Sequence, residues 1–308
     1  MLLDDDAVMG LTAELSQYES VSNLTGKLTS FGSGITTILV NRWAAEFSTI
    51  YPGVELNIHG GGTPEGLHAL LEDKADLVPG GRLLSSSENE PFKAKFGYVP
   101  LQIMVALDAV AVYVNKNNPI AGLTLAQLDS IYSRDAKRGG GRPEFWRDLG
   151  VTGPFGDKQI SRVSLNRHSD NYLFFRDAIM KGADFGFDVD FEPVPSSLVQ
   201  APGADERVIS FASVMFATAR TRFVPLQAAD GRYRLPTYQN TMTGDYPLVR
   251  PMRIAFHRKP DGSLNPVARE FLRFAVSRRG QRIIALAGSF PLTPQEQKDA
   301  LRAIGETP

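Results

Sequence analysis

The sequence predicts an α/β protein built of two lobes. Strand, glycine-rich loop, helix and strand follow one another between Lys27 and Val78, an order typical of βαβ units with a mostly parallel sheet. The 308 residues are enough for about two domains. Residues 252–257 form a second β-rich segment, and after it the pattern predicts only helices, which have no sheet of their own and are therefore expected to pack back on the first lobe.

The first lobe opens with a short predicted strand at Lys27–Thr29. A helix is predicted over residues 36–50, because apolar residues recur there at helical spacing until Pro52 and Gly53 stop it. Residues 54–58 alternate as a strand, which runs through a glycine loop into a helix over residues 64–74.

The second lobe begins in a long apolar segment, residues 105–115, interrupted only by Asp108. The elements predicted after it are a helix over 124–133, a strand over 160–165, a helix over 170–181, and strands near Val208 and Phe223.

The chain leaves the first lobe, builds the second and returns, so it crosses between the lobes twice. We therefore expect lobe one to comprise residues 26–107 and 253–308, and lobe two residues 108–252. Residues 1–25 show no clear period and are predicted to form a loosely packed N-terminal extension.

Composition excludes several classes of function. There are 33 Lys+Arg against 34 Asp+Glu, so bulk charge does not favour nucleic acid or an anionic membrane. The absence of cysteine excludes thiolate metal sites, disulfides and cysteine nucleophiles, and the four histidines form no HExxH or HxH pair. No apolar run reaches the ~18 residues of a membrane helix, and we do not expect the acidic first ten residues to act as a signal peptide. We expect no metal and no cofactor.

Two glycine loops precede predicted helices in the first lobe. Gly60–Thr63 combines a backbone that a ligand can approach with the free N–H groups of a helix N-terminus, which suits an oxyanion. The alternative is a tight turn in which Thr63 caps the helix. Gly32-Ser33-Gly34-Ile35 has the same two interpretations, and neither loop has the Walker A or GxGxxG spacing.

Two further segments carry candidate polar groups. Arg167 could offer a bidentate guanidinium, and Ser169 and Asn171 neutral donors, although Ser169 or Asp170 could equally cap the following helix. Arg82 follows a glycine pair and is either a functional cation or an ordinary surface residue. The basic loop over residues 137–142 lacks interleaved aromatic residues, which favours an exposed loop over nucleic-acid binding.

Several short motifs in one order resemble the PstS-like phosphate-binding proteins of ABC importers, a group of periplasmic solute-binding proteins. The resemblance covers about residues 26–295. The matching segments are Leu28-Thr29 with Gly32-Ser33-Gly34 and Arg42-Trp43-Ala44, then Val112–Ile120 with Leu123-Thr124, Trp146–Gly150, Tyr246-Pro247-Leu248, Ser277–Gln281 and Gly288–Leu292.

This resemblance implies a two-lobe periplasmic-binding-protein fold, with two crossover strands at a hinge and phosphate in the cleft. It also implies roles for individual residues. The implied ligand groups are the main-chain N–H groups of Gly34 and Ile35, Thr63, the cleft arginine Arg167, and Ser169, Asp170 and Asn171, with Arg82 as a further cation.

Two positions depart from the family pattern. Asp170 places a carboxylate where a glycine is usual, and Gly81 stands where the family has a cleft aspartate. A carboxylate near a bound dianion repels it unless it points away or shares a proton.

The resemblance implies a non-enzymatic, monomeric protein of the periplasm or another extracytoplasmic compartment. It would capture inorganic phosphate or a related oxyanion, bind no nucleic acid, and deliver the anion to an ABC permease of the inner membrane. The alternative is a PstS-like domain whose altered or degenerate site serves sensing, adhesion or surface interaction. A cleft enzyme acting on a phosphorylated substrate is a weaker hypothesis, because no nucleophile or metal set is evident.

Overall fold

The computed structural model describes residues 5–32, 34–259 and 261–307. It divides into two compact units. The continuous unit is Asp108–Val249, and the discontinuous unit combines the described residues up to Leu107 with those from Arg250 onward.

Helices and strands alternate through most of the chain. In chain order the elements are α1 (Asp5–Leu11), β1 (Gly26–Phe31), α2 (Gly34–Ile50), β2 (Val54–His59), α3 (Thr63–Leu71), β3 (Leu77–Gly80), α4 (Ser86–Phe96), β4 (Leu101–Asn115), α5 (Leu125–Tyr132), β5 (Ser161–Leu165), α6 (Asp170–Ala178), β6 (Val189–Glu192), α7 (Ser197–Ala204), β7 (Val208–Ser213), β8 (Thr221–Phe223), β9 (Leu226–Gln227), β10 (Tyr233–Arg234), α8 (Tyr238–Met242), β11 (Val249–Phe256), α9 (Pro266–Val276), α10 (Arg278–Leu286) and α11 (Pro294–Ala303).

In the discontinuous unit, β2, β1, β3 and β11 lie side by side. β1 runs parallel to both β2 and β3, with Leu28 opposite Leu56, whereas β11 is antiparallel to β3. The C-terminal helices complete this unit, because the Phe47 ring of α2 packs against Phe271 at 5.2 Å, and Trp43 Nε1 donates a 2.9 Å hydrogen bond to the carbonyl of Gly280.

In the continuous unit, β4, β7, β5 and β6 lie in that order. β5 is parallel to β6 and β7, and β4 is antiparallel to β7. An aromatic core forms beneath α6, where the rings of Phe175 and Phe211 stack 3.7 Å apart and Tyr132 packs edge-on to both. The predicted α/β class with mostly parallel pairing is confirmed.

The N-terminal segment is more tightly held than the sequence suggested. Residues 1–4 lie outside the described part, but Val8 of α1 and Leu15 after it are buried. Tyr18 and Tyr51 both donate hydrogen bonds to Glu270 Oε1, at 2.5 and 2.9 Å. The expectation of a loosely packed arm is therefore wrong for the described residues before β1.

None of the helices in the described ranges is both long enough and apolar enough to cross a bilayer.

Candidate functional site

Glycine at two positions allows β1 to pass into α2. A Cβ on Gly32 would lie 2.4 Å from the carbonyl oxygen of Pro79, so only glycine lets the end of β1 approach β3 this closely. Gly34 begins α2 with φ +54°, and Thr36 Oγ1 fixes the first turn by donating a 3.0 Å hydrogen bond to the carbonyl of Gly80. Ser33 lies outside the described residues. The amides of Gly34 and Ile35 thus belong to a helix N-terminus.

The prediction that Thr63 caps α3 is wrong. Gly62 is the N-cap, with φ 145°, and Thr63 is the first helical residue, 2% exposed. No side chain caps the helix at this position, because glycine has no side chain that could accept a hydrogen bond. The exposed carboxylate of Glu65 lies over the same point, with Oε2 2.6 Å from where a Cβ on Gly62 would be.

The two glycine loops lie next to each other. Because β1 and β2 are parallel, their carboxyl ends meet at one edge of the sheet, and Gly62 N–H donates a 3.3 Å hydrogen bond to the carbonyl of Gly32. The start of α2 and the start of α3 are thus brought together. Two helix N-termini at one sheet edge form an electropositive surface that favours an anion.

Arg82 also follows this edge but is bound by a carboxylate. Its Nη1 and Nη2 donate to Glu88 Oε2 and Oε1 at 2.8 and 2.7 Å. Burial would raise the pKa of Glu88, but the Arg82 guanidinium, the Ser85 amide and the Ser85 hydroxyl outweigh it and hold that pKa at about 2. The positive charge of Arg82 is therefore compensated within the unit.

This ion pair predicts a pH dependence of stability. The pKa of Glu88 falls from 4.5 to about 2 on folding, so its contribution is present above pH 4.5 and is lost as the pH falls toward 2. We expect Glu88→Gln to lower the free energy of unfolding by about 2 kcal/mol at pH 7, and by progressively less below pH 4.5. Urea unfolding of both proteins between pH 3 and 7 measures this difference.

Glu90→Gln is the matched control, since Glu90 is an exposed carboxylate on the same helix. A Glu88→Gln deficit that stays constant across the pH range would contradict the assigned ion pair.

The segment after β5 forms the N-terminus of α6. The Ser169 hydroxyl caps the helix by accepting from Tyr172 N–H at 3.1 Å, which is the alternative that the local sequence left open. Asp170 begins the helix and is buried, a position where the helix dipole favours a negative charge. Asn171 is also buried and donates a 3.1 Å hydrogen bond to the carbonyl of Phe211 on β7.

Arg167 differs from these neighbours. Its side chain is exposed, and no hydrogen bond or ion pair joins its guanidinium to any described residue. All five donors of its planar fork are thus available to a ligand. Arg162, on the preceding strand β5, is by contrast buried, and its guanidinium donates to backbone carbonyls and to Asp188.

Asp108 has a structural role that the sequence pattern did not indicate. It is completely buried on β4, and its carboxylate accepts a hydrogen bond from the Ser213 hydroxyl at the end of β7. Burial, with the Asp108 charge adding to it, raises the pKa of Tyr113 and of Tyr246. The only signal in the sequence was a single carboxylate inside an apolar run.

Across the described ranges, no three His, Asp or Glu side chains are grouped so as to hold a metal ion. The polar groups available in each unit are helix amides, hydroxyls and arginines. In proteins, groups of these kinds are suited to binding anions by hydrogen bonding.

Comparison with known proteins agrees with that chemistry. Residues 19–279 match the family model for the PBP superfamily domain. The phosphate-binding protein PstS of Pseudomonas aeruginosa is 31% identical over 301 residues, covering 97% of this chain and 93% of its own. This chain belongs to the PstS family. Protein SphX of Synechococcus elongatus is 24% identical, covering 89% of this chain and 80% of its own.

Solved structures share the fold of this PstS-family chain. A Clostridium perfringens protein crystallised with bound phosphate superposes with a TM-score of 0.72 at 21% identity, covering 87% of this chain and all of its own. An ABC-type phosphate transport receptor of Vibrio cholerae gives 0.68 at 20% identity over the same shares. The predicted periplasmic-binding-protein fold is confirmed.

Proposed function

We propose that this PstS-family chain captures inorganic phosphate, or a closely related oxyanion, for an ABC importer. The observation that carries the proposal is its 31% identity to the phosphate-binding protein of Pseudomonas aeruginosa over nearly the whole of both chains. The protein binds and releases its ligand without a chemical step. It works in the periplasm or another extracytoplasmic compartment, as a monomer that presents the anion to an ABC permease of the inner membrane.

Each unit contains groups that suit a tetrahedral oxyanion. The discontinuous unit offers the amides of Gly34 and Ile35 and the adjoining start of α3 at Thr63, where the N–H groups and helix dipoles stabilise negative charge. The continuous unit offers the exposed fork of Arg167 and the start of α6.

Two of the candidate residues have narrower roles in this proposal. Arg82 contributes little net charge, because Glu88 already occupies both of its terminal nitrogens. Asp170 repels a fully ionised anion but accepts a hydrogen bond from a protonated one. The proposed site therefore selects oxyanions that retain a proton near neutral pH, as phosphate does and sulfate does not.

Calorimetric titration tests this proposal. Ligand-stripped full-length protein is titrated with phosphate, sulfate, molybdate and methylphosphonate at pH 7. We expect one phosphate per chain, with sulfate binding at least ~100-fold more weakly, because a buried carboxylate facing an anion without a proton costs about 3 kcal/mol.

If titration with all four anions gave no heat of binding, the importer function would be contradicted. The alternative of a degenerate site used for sensing or adhesion would then be favoured. Equal affinity for sulfate and phosphate would be consistent with an oxyanion-binding protein but would contradict the selective role proposed for Asp170.

A further inference from the structure

Strand β6 leaves an open and unusually apolar edge on the continuous unit. Within the part of the chain that the structure describes, β6 pairs only with β5. Three apolar side chains in or next to this strand are exposed, Phe187 by 90%, Phe191 by 51% and Val194 by 48%. An open edge flanked by exposed phenylalanines is a surface suited to a partner, since proteins generally cover or charge such edges.

The same segment is strongly acidic. Residues 182–206 contain six Asp and Glu and no Lys or Arg, in a chain whose overall net charge is −1. Asp188 is compensated by Arg142 and Arg162. Among the described residues, Asp190 and Glu192 have neither an ion-pair partner nor a hydrogen-bond partner for their carboxylates.

Charged and apolar residues lie on opposite faces of β6. Successive side chains of a strand alternate, so Val189 and Phe191 share one face and Asp190 and Glu192 share the other. The first face is the one covered by α6, since Val189 is buried and the Phe191 ring lies 6.3 Å from that of Tyr172. A partner strand paired with β6 would therefore extend both the apolar face and the acidic face of the sheet.

We propose that this β6 edge surface, made of Phe187, Asp190, Phe191, Glu192 and Val194, docks an extended segment of a partner protein in which cationic and apolar residues alternate. The free backbone edge of β6 supplies the pairing groups. The apolar residues of the partner cover Phe191, and its cationic residues lie beside Asp190 and Glu192. This docking is independent of the proposed oxyanion binding.

The charges also determine which occupant fits. A second copy of this chain, pairing edge to edge, would bring Asp190 and Glu192 of one copy against the same residues of the other. Like charges directly opposite each other on neighbouring strands are destabilising. The surface therefore favours a different, basic protein.

A peptide with the proposed pattern tests this docking. The full-length protein is titrated into a fluorescein-labelled heptapeptide in which lysine and valine alternate, and fluorescence anisotropy reports binding. A peptide of the same composition, with its lysines and valines in separate blocks, tests the alternation. We expect the alternating peptide to bind about tenfold more tightly, because only it places each charge on the acidic face.

Variants of the protein test the assigned residues. The double substitution Asp190→Lys/Glu192→Lys should weaken binding of the alternating peptide by about tenfold or more, and Phe191→Ser by severalfold. The matched control is Asp157→Lys/Asp230→Lys, which makes the same change in net charge at exposed aspartates elsewhere in the unit. Phosphate titration of each variant keeps this result separate from the proposed function.

Three outcomes would overturn the proposal. The first is equal binding of the two peptides, which would attribute the interaction to net charge alone. The second is a loss of binding with the control substitutions as large as that with the β6 substitutions. The third is self-association of the protein in sedimentation experiments that Asp190→Lys/Glu192→Lys abolishes, which would make a second copy the occupant.

Discussion

Replacing Arg162 with Met is expected to lower the free energy of unfolding of the continuous unit by about 3–5 kcal/mol. Arg162 is 4% exposed and donates to the carbonyls of Ile131 at 2.7 Å, Ile160 at 3.1 Å and Pro143. It also donates to Asp188 Oδ2 at 3.0 Å. Methionine fills the space of the aliphatic stem but leaves these acceptors without their donors, and each buried unsatisfied carbonyl costs about 1–3 kcal/mol.

The two tryptophans of the chain allow this loss to be located. Trp146 is buried in the continuous unit and Trp43 in the discontinuous unit. Urea unfolding followed by tryptophan fluorescence in a Trp43→Phe background reports the continuous unit alone. The control is Arg207→Met, at an exposed arginine whose ion pair, among the described residues, is with Asp205 two residues away, and we expect it to cost less than about 0.5 kcal/mol. An Arg162→Met protein within 1 kcal/mol of its parent would show that the guanidinium contributes no net stability.

Replacing Arg167 with Ala is expected to weaken phosphate binding by about 100-fold or more and to leave stability unchanged. Two charge-assisted hydrogen bonds from one guanidinium are together worth about 3 kcal/mol, which corresponds to this factor. Stability is spared because Arg167 is exposed and contacts no partner in the described chain, so folding does not depend on it. Calorimetric titration with phosphate and urea unfolding of the same preparation measure the two quantities.

The matched control is Arg232→Ala, at an exposed arginine in the turn between β9 and β10. Arg167→Lys keeps the charge but removes the planar fork, so we expect it to recover only part of the affinity. Normal phosphate binding by Arg167→Ala would show that Arg167 does not contact the ligand. A lower free energy of unfolding would show that Arg167 contributes to the stability of the fold.

The sequence predicted those elements in which several local signals indicate the same secondary structure. α2 has apolar residues at helical spacing, and Pro52 and Gly53 mark its end, so its bounds were predicted to within about two residues. α4 and α7 were missed because each contains an internal proline, Pro91 and Pro202, and α4 buries only Phe92. β6 was missed because two of its four residues are acidic, which is rare in strands.

Prediction of the candidate site from the sequence was limited in a similar way. The cap at Ser169 follows from its own sequence context, because the capping bond closes within three residues. The partner of Arg82 could not be predicted, since Glu88 belongs to the helix that was missed. Thr63 was assigned wrongly because the glycine before it adopts a φ of 145° and takes the cap position. The buried Arg162 depends on carbonyls from two distant segments, which no local pattern reveals.

The interleaving of the two units has a consequence for how the protein is made. The residues up to Leu107 leave the ribosome first, yet Trp43 and Phe47 find their partners at Gly280 and Phe271, near the end of the chain. The continuous unit, Asp108–Val249, can fold as soon as it has emerged. The part synthesised first is therefore completed last, when Phe271 and Gly280 become available to cover Phe47 and Trp43.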